Sequence, residues 1–258
     1  MNLNTTKSVC TLKGHTDRVN SVAALPDKRI ISCSDDNTLK IWSWETAQEL
    51  LSLKGNTRCI FAVAVTPDGK RAIACLSDQT LKVWSLETLK EVATLIGHTD
   101  WVSSVTVTPD GKRVISGSFD KTIKVWSLET GEAVSTLVGH NGWVKALAVT
   151  PDGKRLISGS FDKTIKVWSL ETAEELFSLS GHTDWVSSVA VTPNGEQVIS
   201  ASDDHTLKVW DLEQRQAIAH FTGESSLECC AVAEDGVKII VGEASGRVHF
   251  LTLESYRE

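Results

Sequence analysis

The chain has 258 residues, 41% of them hydrophobic and 23% charged, and carries a net charge of −7. That length suits one large all-β domain or two ordinary ones. No run gathers Lys and Arg, so the cations that neutralise phosphates on a nucleic-acid-binding face are missing, and no apolar stretch approaches the ~20 residues of a membrane-spanning helix.

In chain order, the opening MNLNTTKSVC has no apolar core of a signal peptide, and a cytoplasmic location is expected. Within it begins SVCTL, which reads as a single strand with no companions. Six cysteines follow at positions 10, 33, 59, 75, 229 and 230. None forms a C-x-x-C pair, so they read as small core residues of a reducing compartment rather than as disulfides or a zinc site.

From Gly14 onward the chain repeats. Trp42, Trp84, Trp126, Trp168 and Trp210 fall 42 residues apart, and Gly-His pairs stand at 14–15, 97–98, 139–140 and 181–182. Thr108–Thr130 and Thr150–Thr172 differ only at Val114 against Leu156. A sixth unit aligns through Asp235-Gly236, with Leu251 in place of Trp. The units are expected at 14–54, 55–96, 97–138, 139–180, 181–222 and 223–253, within one domain spanning 1–258.

Each unit holds four short runs of strand character, in the third VSSVTVT, KRVISGS, TIKVW and EAVSTLV. The links TPDG, FDKT and SLETG are hairpin length. Four such strands make a small meander with two apolar faces, and stacked meanders hide every face only by closing into a ring. The expected fold is all-β, a single closed β-propeller of six four-stranded blades. Residues 8–13 would complete the last blade, which otherwise ends at its third strand; a place within a seven-bladed ring is the alternative.

Gly-His near the start of a unit, Asp six residues before Trp, and Trp followed by Ser or Asp resemble the WD-repeat family. The likeness covers Ser8 to about Leu253, although the Trp-Asp dipeptide itself survives only at Trp210-Asp211. The near-identical units are similar to freshly amplified arrays of bacterial, especially cyanobacterial, proteins, which often follow a nucleotide-binding signalling domain. The resemblance implies a hydrogen-bonded chain of Trp, Ser, His and Asp inside each blade. The sets are His15, Ser32, Asp36 and Trp42; His98, Ser116, Asp120 and Trp126; His140, Ser158, Asp162 and Trp168; and His182, Ser200, Asp204 and Trp210. Ser, His and Asp are also the ingredients of a hydrolase triad, but a catalytic site is built once and a staple recurs in every blade. Unit two, with Asn56 and Ala74, and unit six, with Val241, Ser245 and Leu251, lack the set and should be the soft places.

No phosphate loop, H-E-x-x-H or metal-spaced cluster occurs, so no cofactor, metal or catalysis is expected. The Lys-Arg pairs at 70–71, 112–113 and 154–155 read as solvated rim charge. Aromatic residues in the loops carry the functional signal. Trp101, Trp143 and Trp185 precede the first strand of their units, and Phe119 and Phe161 precede the blade Asp, with Lys145 as a polar companion. In the resembling family these loops share one rim, which would gather the aromatics over three blades. Clustered exposed aromatics mark binding surfaces. The expected function is a monomeric protein-interaction module that takes a protein or peptide, not nucleic acid or membrane. A sensor domain of a larger signalling protein is the alternative, and a channel-based propeller enzyme a distant one.

Overall fold

The computed structural model describes residues 11–54 and 59–253. Every element in them is a strand. Blade one holds β1 (Val19–Ala24), β2 (Arg29–Ser34), β3 (Thr38–Ser43) and β4 (Glu49–Lys54). Blade two holds β5 (Ile60–Val65), β6 (Arg71–Leu76), β7 (Leu81–Ser85) and β8 (Lys90–Leu95). Blade three has β9 (Val102–Val107), β10 (Arg113–Ser118), β11 (Ile123–Ser127) and β12 (Ala133–Leu137). Blade four has β13 (Val144–Val149), β14 (Arg155–Ser160), β15 (Thr164–Ser169) and β16 (Glu175–Ser180). Blade five has β17 (Val186–Val191), β18 (Gln197–Ser202), β19 (Thr206–Asp211) and β20 (Gln216–Thr222). Blade six has β21 (Leu227–Val232), β22 (Lys238–Glu243) and β23 (Val248–Thr252).

Each blade is an antiparallel meander in chain order. The first strands pack one on the next from β1 through β5, β9, β13 and β17 to β21, which is the inner wall of a β-propeller. The six expected blades are therefore present. Among the described residues the sixth has three strands. The strand expected to complete it falls at 8–13; residues 8–10 lie outside the described residues, and residues 11–13 are in no strand.

The turns explain why the repeat folds as it does. In blade three the Thr108 hydroxyl donates to Asp110 at 2.5 Å, and the Gly111 N–H closes the turn on the Thr108 carbonyl at 2.8 Å. Gly111 sits at φ +69°, which an L side chain reaches only at a cost of about 1–2 kcal/mol. Blade one lacks this glycine, and Lys28 adopts φ 63° in its place.

The core lies between the blades. One cluster joins Ile31, Leu39 and Ile41 of blade one to Ile60, Trp84 and Leu86 of blade two, and another joins Ile199, Leu207 and Val209 to Leu227, Ile239 and Val241. In each, strands two and three of one blade receive the first strand of the next. Gly117 shows how tight this is: a Cβ there would lie 2.6 Å from both Ser104 Oγ and Val144 Cγ1.

Candidate interaction face

The four repeated polar sets each come together. In blade three Trp126 Nε1 donates to Ser116 Oγ at 2.8 Å, Ser116 Oγ lies 2.8 Å from His98 Nε2, and His98 Nδ1 lies 2.7 Å from Asp120 Oδ2. This spacing fits a neutral histidine that accepts from Ser at Nε2 and donates to Asp from Nδ1. Asp120 also takes the Thr99 N–H and the Thr122 hydroxyl. The same chain runs through Trp42, Ser32, His15 and Asp36, through Trp168, Ser158, His140 and Asp162, and through Trp210, Ser200, His182 and Asp204. The hydroxyls of Ser116, Ser158 and Ser200 belong to fully buried residues.

Burial opposes ionisation of these aspartates, yet the hydrogen bonds they accept outweigh it. Asp36, Asp120 and Asp162 are held far below the usual carboxylate range, and Asp204 at about 2. Burial also lowers the His182 imidazole below its ordinary value, against the pull of Asp204. An acceptor-saturated carboxylate beside a desolvated neutral histidine is a hydrogen-bonded staple.

Blades two and six differ. Ala74 removes the serine of blade two, Asn56 lies outside the described residues, and Asp78 still accepts from Thr80. In blade six the work passes to Glu243, which the sequence reading missed. It accepts from the Ser245 hydroxyl at 2.6 Å and the Glu224 N–H at 2.9 Å, and pairs with His249 Nε2 at 2.9 Å. Ser245 holds the Glu243 carboxyl at about 2, helped by Glu224 and His249 and against desolvation. Glu243 stands where four of the other five blades carry the serine that ends strand two, such as Ser118 or Ser202, and a charged residue replacing that serine was the available signal.

Both loop sets open on one rim. The Phe119 N–H donates to the Trp101 carbonyl at 2.9 Å, Phe161 to Trp143 at 2.9 Å and Asp203 to Trp185 at 2.9 Å. The aromatic side chains then stack into a ladder. Trp101 lies 5.8 Å from Phe119, Phe119 4.0 Å from Trp143 at 4° between planes, Trp143 5.1 Å from Phe161, and Phe161 4.1 Å from Trp185 at 3°. Phe61 adds a further rung, stacked 5.4 Å from Trp101. The three tryptophans remain 45%, 40% and 43% exposed in chain order, so the ladder is half covered by itself and half open to solvent.

Lys145, two residues after Trp143, has a charged setting. It is the second residue of β13, at the register of Asn20, Phe61, Ser103, Ser187 and Glu228 in the other blades. Crowding by the protein lowers its ammonium below the usual lysine range, Arg18 adds to this, and Glu228 and Asp203 oppose it. Solvent still reaches the side chain.

On the opposite rim the Lys-Arg pairs divide their labour. Lys70 pairs with Glu87 at 3.4 Å, but Arg71 and Arg113 reach across to the carbonyls of Leu128 and Leu170 in the next blade, at 2.7 and 2.8 Å. Two of these six charges therefore tie blades together. A cleft of about 700 Å³ opens there between blades four and five, beside Phe177 and Arg215. It is a polar crevice remote from the ladder. The described thiols of Cys33 and Cys230 are pushed up to about 12 by burial. Among the described residues no cluster of His, Cys, Asp and Glu is arranged to hold a metal ion, and no helix could cross a membrane.

The fold and the repeated staple define a repeat-built β-propeller. The chain matches the WD domain, G-beta repeat, over residues 6–43, 47–85, 89–127, 131–169 and 173–211, and belongs to the WD40 repeat family. Blade six lies outside those five matches. Nuclear distribution protein PAC1-2 of Uncinocarpus reesii is 43% identical over 53 residues, 20% of this chain and 12% of that protein. Nuclear distribution protein nudF of Aspergillus flavus is 48% identical over 50 residues, 19% of this chain and 11% of that one. WD repeat-containing protein pop1 of Schizosaccharomyces pombe is 42% identical over 57 residues, 22% of this chain and 7% of that protein. The aligned stretch thus spans about a tenth of these relatives. All three are fungal, and none supports the bacterial resemblance read from the near-identical units.

Proposed function

We propose that the chain is a non-catalytic interaction module that docks a protein or peptide on the rim carrying Phe61, Trp101, Phe119, Trp143, Phe161 and Trp185. The observation behind this reading is the half-exposed ladder itself, which crosses four blades and leaves three indole edges in water. Indoles gathered in one sector are the chemistry of a binding hot spot. Lys145, with Arg18, Glu228 and Asp203 as its charged neighbours, supplies polar orientation. The absence of catalysis is part of the same proposal. Each candidate nucleophile, such as Ser116, is buried with its oxygen shared between an indole N–H and a histidine, which leaves no approach for a substrate. Two of the fungal relatives are named for nuclear distribution, and so short an aligned stretch carries none of that task to this chain.

The test is a pull-down from the source cell with the wild-type protein and with a Trp101→Ala, Trp143→Ala, Trp185→Ala triple variant of unchanged circular dichroism. The reading expects partners retained by the first and lost by the second. Identical retention by both would move the site off this rim.

A further inference from the structure

The crevice between blades four and five is an opened form of a groove that recurs from blade to blade. Strand two of blades one to four begins with an arginine: Arg29, Arg71, Arg113 and Arg155. Three of these guanidiniums have partners. Arg29 pairs with Asp27, and Arg71 and Arg113 donate to the carbonyls of Leu128 and Leu170 in the next blade. Arg155 stands in a segment that matches that of Arg113 except at Leu156, and Leu212 lies at the register of Leu170. Yet among the described residues the Arg155 side chain makes no hydrogen bond or ion pair. It is exposed, and Asp152 feels its charge without pairing to it.

So nearly identical a local chain cannot be the cause, which puts the difference in the residues opposite. Two departures stand there. Phe177 takes the place of Leu51, Ala93, Ser135 and Ala219, each opposite the same residue of strand three. Arg215 takes the place of Ala47, Leu89, Gly131 and Ala173 in the turn before the outer strand. Its guanidinium reaches back over the junction and lies 4.6 Å from the centre of the Phe177 ring. The cavity that results is about 700 Å³, against about 190 Å³ in the groove that Arg71 closes. Two guanidiniums with unbonded N–H groups therefore line one opening.

We propose that this crevice binds a short peptide segment in which one carboxylate side chain is flanked by lysine or arginine. Arg155 and Arg215 take the carboxylate, because a planar guanidinium fork matches its two oxygens. Asp152, Glu196, Asp211 and Glu213 line the same crevice, so four carboxylates face two guanidiniums. The flanking cations answer that excess. Two of the acids are held in place by their own turns: Asp152 accepts from the Thr150 hydroxyl and the Lys154 N–H, and Asp211 from the Glu213 and Gln214 N–H groups. They stay at the rim when a ligand arrives, and a phosphate would meet like-charge repulsion from them that a single carboxylate largely escapes. The volume suits a few side chains rather than a folded domain.

The probe is the fluorescein-labelled peptide amide Gly-Lys-Glu-Lys-Gly, titrated into the full chain at low salt and followed by anisotropy. Saturable binding is expected, weakened at least fivefold by Arg155→Ala and by Arg215→Ala, and lost when glutamine replaces the glutamate of the peptide. Arg215→Ala gives blade five the residue that blade four already carries at this turn, Ala173 at φ 61°, so the fold is kept. Trp143→Ala, on the opposite rim, should leave the affinity unchanged, which separates this site from the ladder. Arg113→Ala should lower the melting temperature by about 2–4 °C through its lost clamp, whereas Arg155→Ala should melt with the wild-type protein. No saturable binding, indifference to either crevice substitution, or tighter binding of a phosphoserine version of the peptide overturns the proposal. So does a fall in melting temperature for Arg155→Ala that equals that of Arg113→Ala, which would make Arg155 one more clamp.

Discussion

The ring of Phe161 lies flat on the indole of Trp185, 4.1 Å away and 3° from parallel, although the two residues belong to different blades. Phe119 and Trp143 repeat the arrangement one blade earlier. With Phe61 on Trp101, the ladder is therefore a contact surface and a clasp over three junctions at once. A double-mutant cycle with Phe161→Leu and Trp185→Leu should give a coupling of about 0.5–1.5 kcal/mol in denaturant unfolding. Additive single effects would mean that the stack holds nothing together.

For partner binding, position along the ladder should set the rank. Trp143→Ala, stacked on one side by Phe119 and flanked on the other by Phe161, is expected to weaken affinity most. Trp101→Ala and Trp185→Ala should cost less, because hot spots sit near an interface centre. Arg18→Ala and Ser77→Ala, at the equivalent loop positions outside the sector, should matter little. Equal affinities across the three tryptophan variants, measured by calorimetry, would point to the other rim or the outer wall.

His98→Ala should lower stability by roughly 1–3 kcal/mol, since Ser116 and Asp120 lose a partner inside the fold. His140→Ala should cost a similar amount, its distances being nearly the same. Denaturant midpoints measure both. A variant that kept its midpoint while losing a measurable ester hydrolysis would turn the staple into an active site.

Acid should undo the staples in two stages. His182 resists protonation in the folded state, whereas the unfolded chain takes up that proton near pH 6.5. Stability contributed by the neutral ring is thus complete above about pH 6.5 and declines below it. The aspartates are held low in the fold and sit near 3.9 when unfolded, so their contribution is present above that value and is lost as pH falls toward 2. Melting temperature should be level between pH 7 and 8, slope gently down below about 6.5, and drop steeply below about 4. Asp204→Asn should flatten part of the lower limb. A profile flat down to pH 3 would contradict the assignment.

The blades were legible because their signals are redundant. Five tryptophans at one spacing, a turn glycine at Gly111 and its equivalents, and alternating apolar residues all agree on the same unit. The polar sets were legible by the same repetition. What escaped were departures at a fixed register. Phe61 is invisible as a loop aromatic because it lies within β5, yet it joins the ladder through its neighbour in blade three. Glu243 occupies a serine's place, and only the fold brings Ser245 and His249 to it. Arg71 and Arg113 look like rim charge because nothing in the chain order announces a carbonyl 57 residues ahead. The freedom of Arg155 depends on which blades meet, a property that no single repeat contains.

The succession of inner strands, each resting on the next in chain order, also shapes how the molecule comes apart. Blade four is braced on both sides by fully stapled neighbours, whereas blades one and three each adjoin blade two, where Ala74 replaces the staple's serine. Such an array loses order one unit at a time, and amide protection should decline from the middle toward either extremity. Unfolding by pulling on the two termini would then proceed as a series of roughly blade-sized steps, with Arg71 and Arg113 setting two of the sturdier rungs.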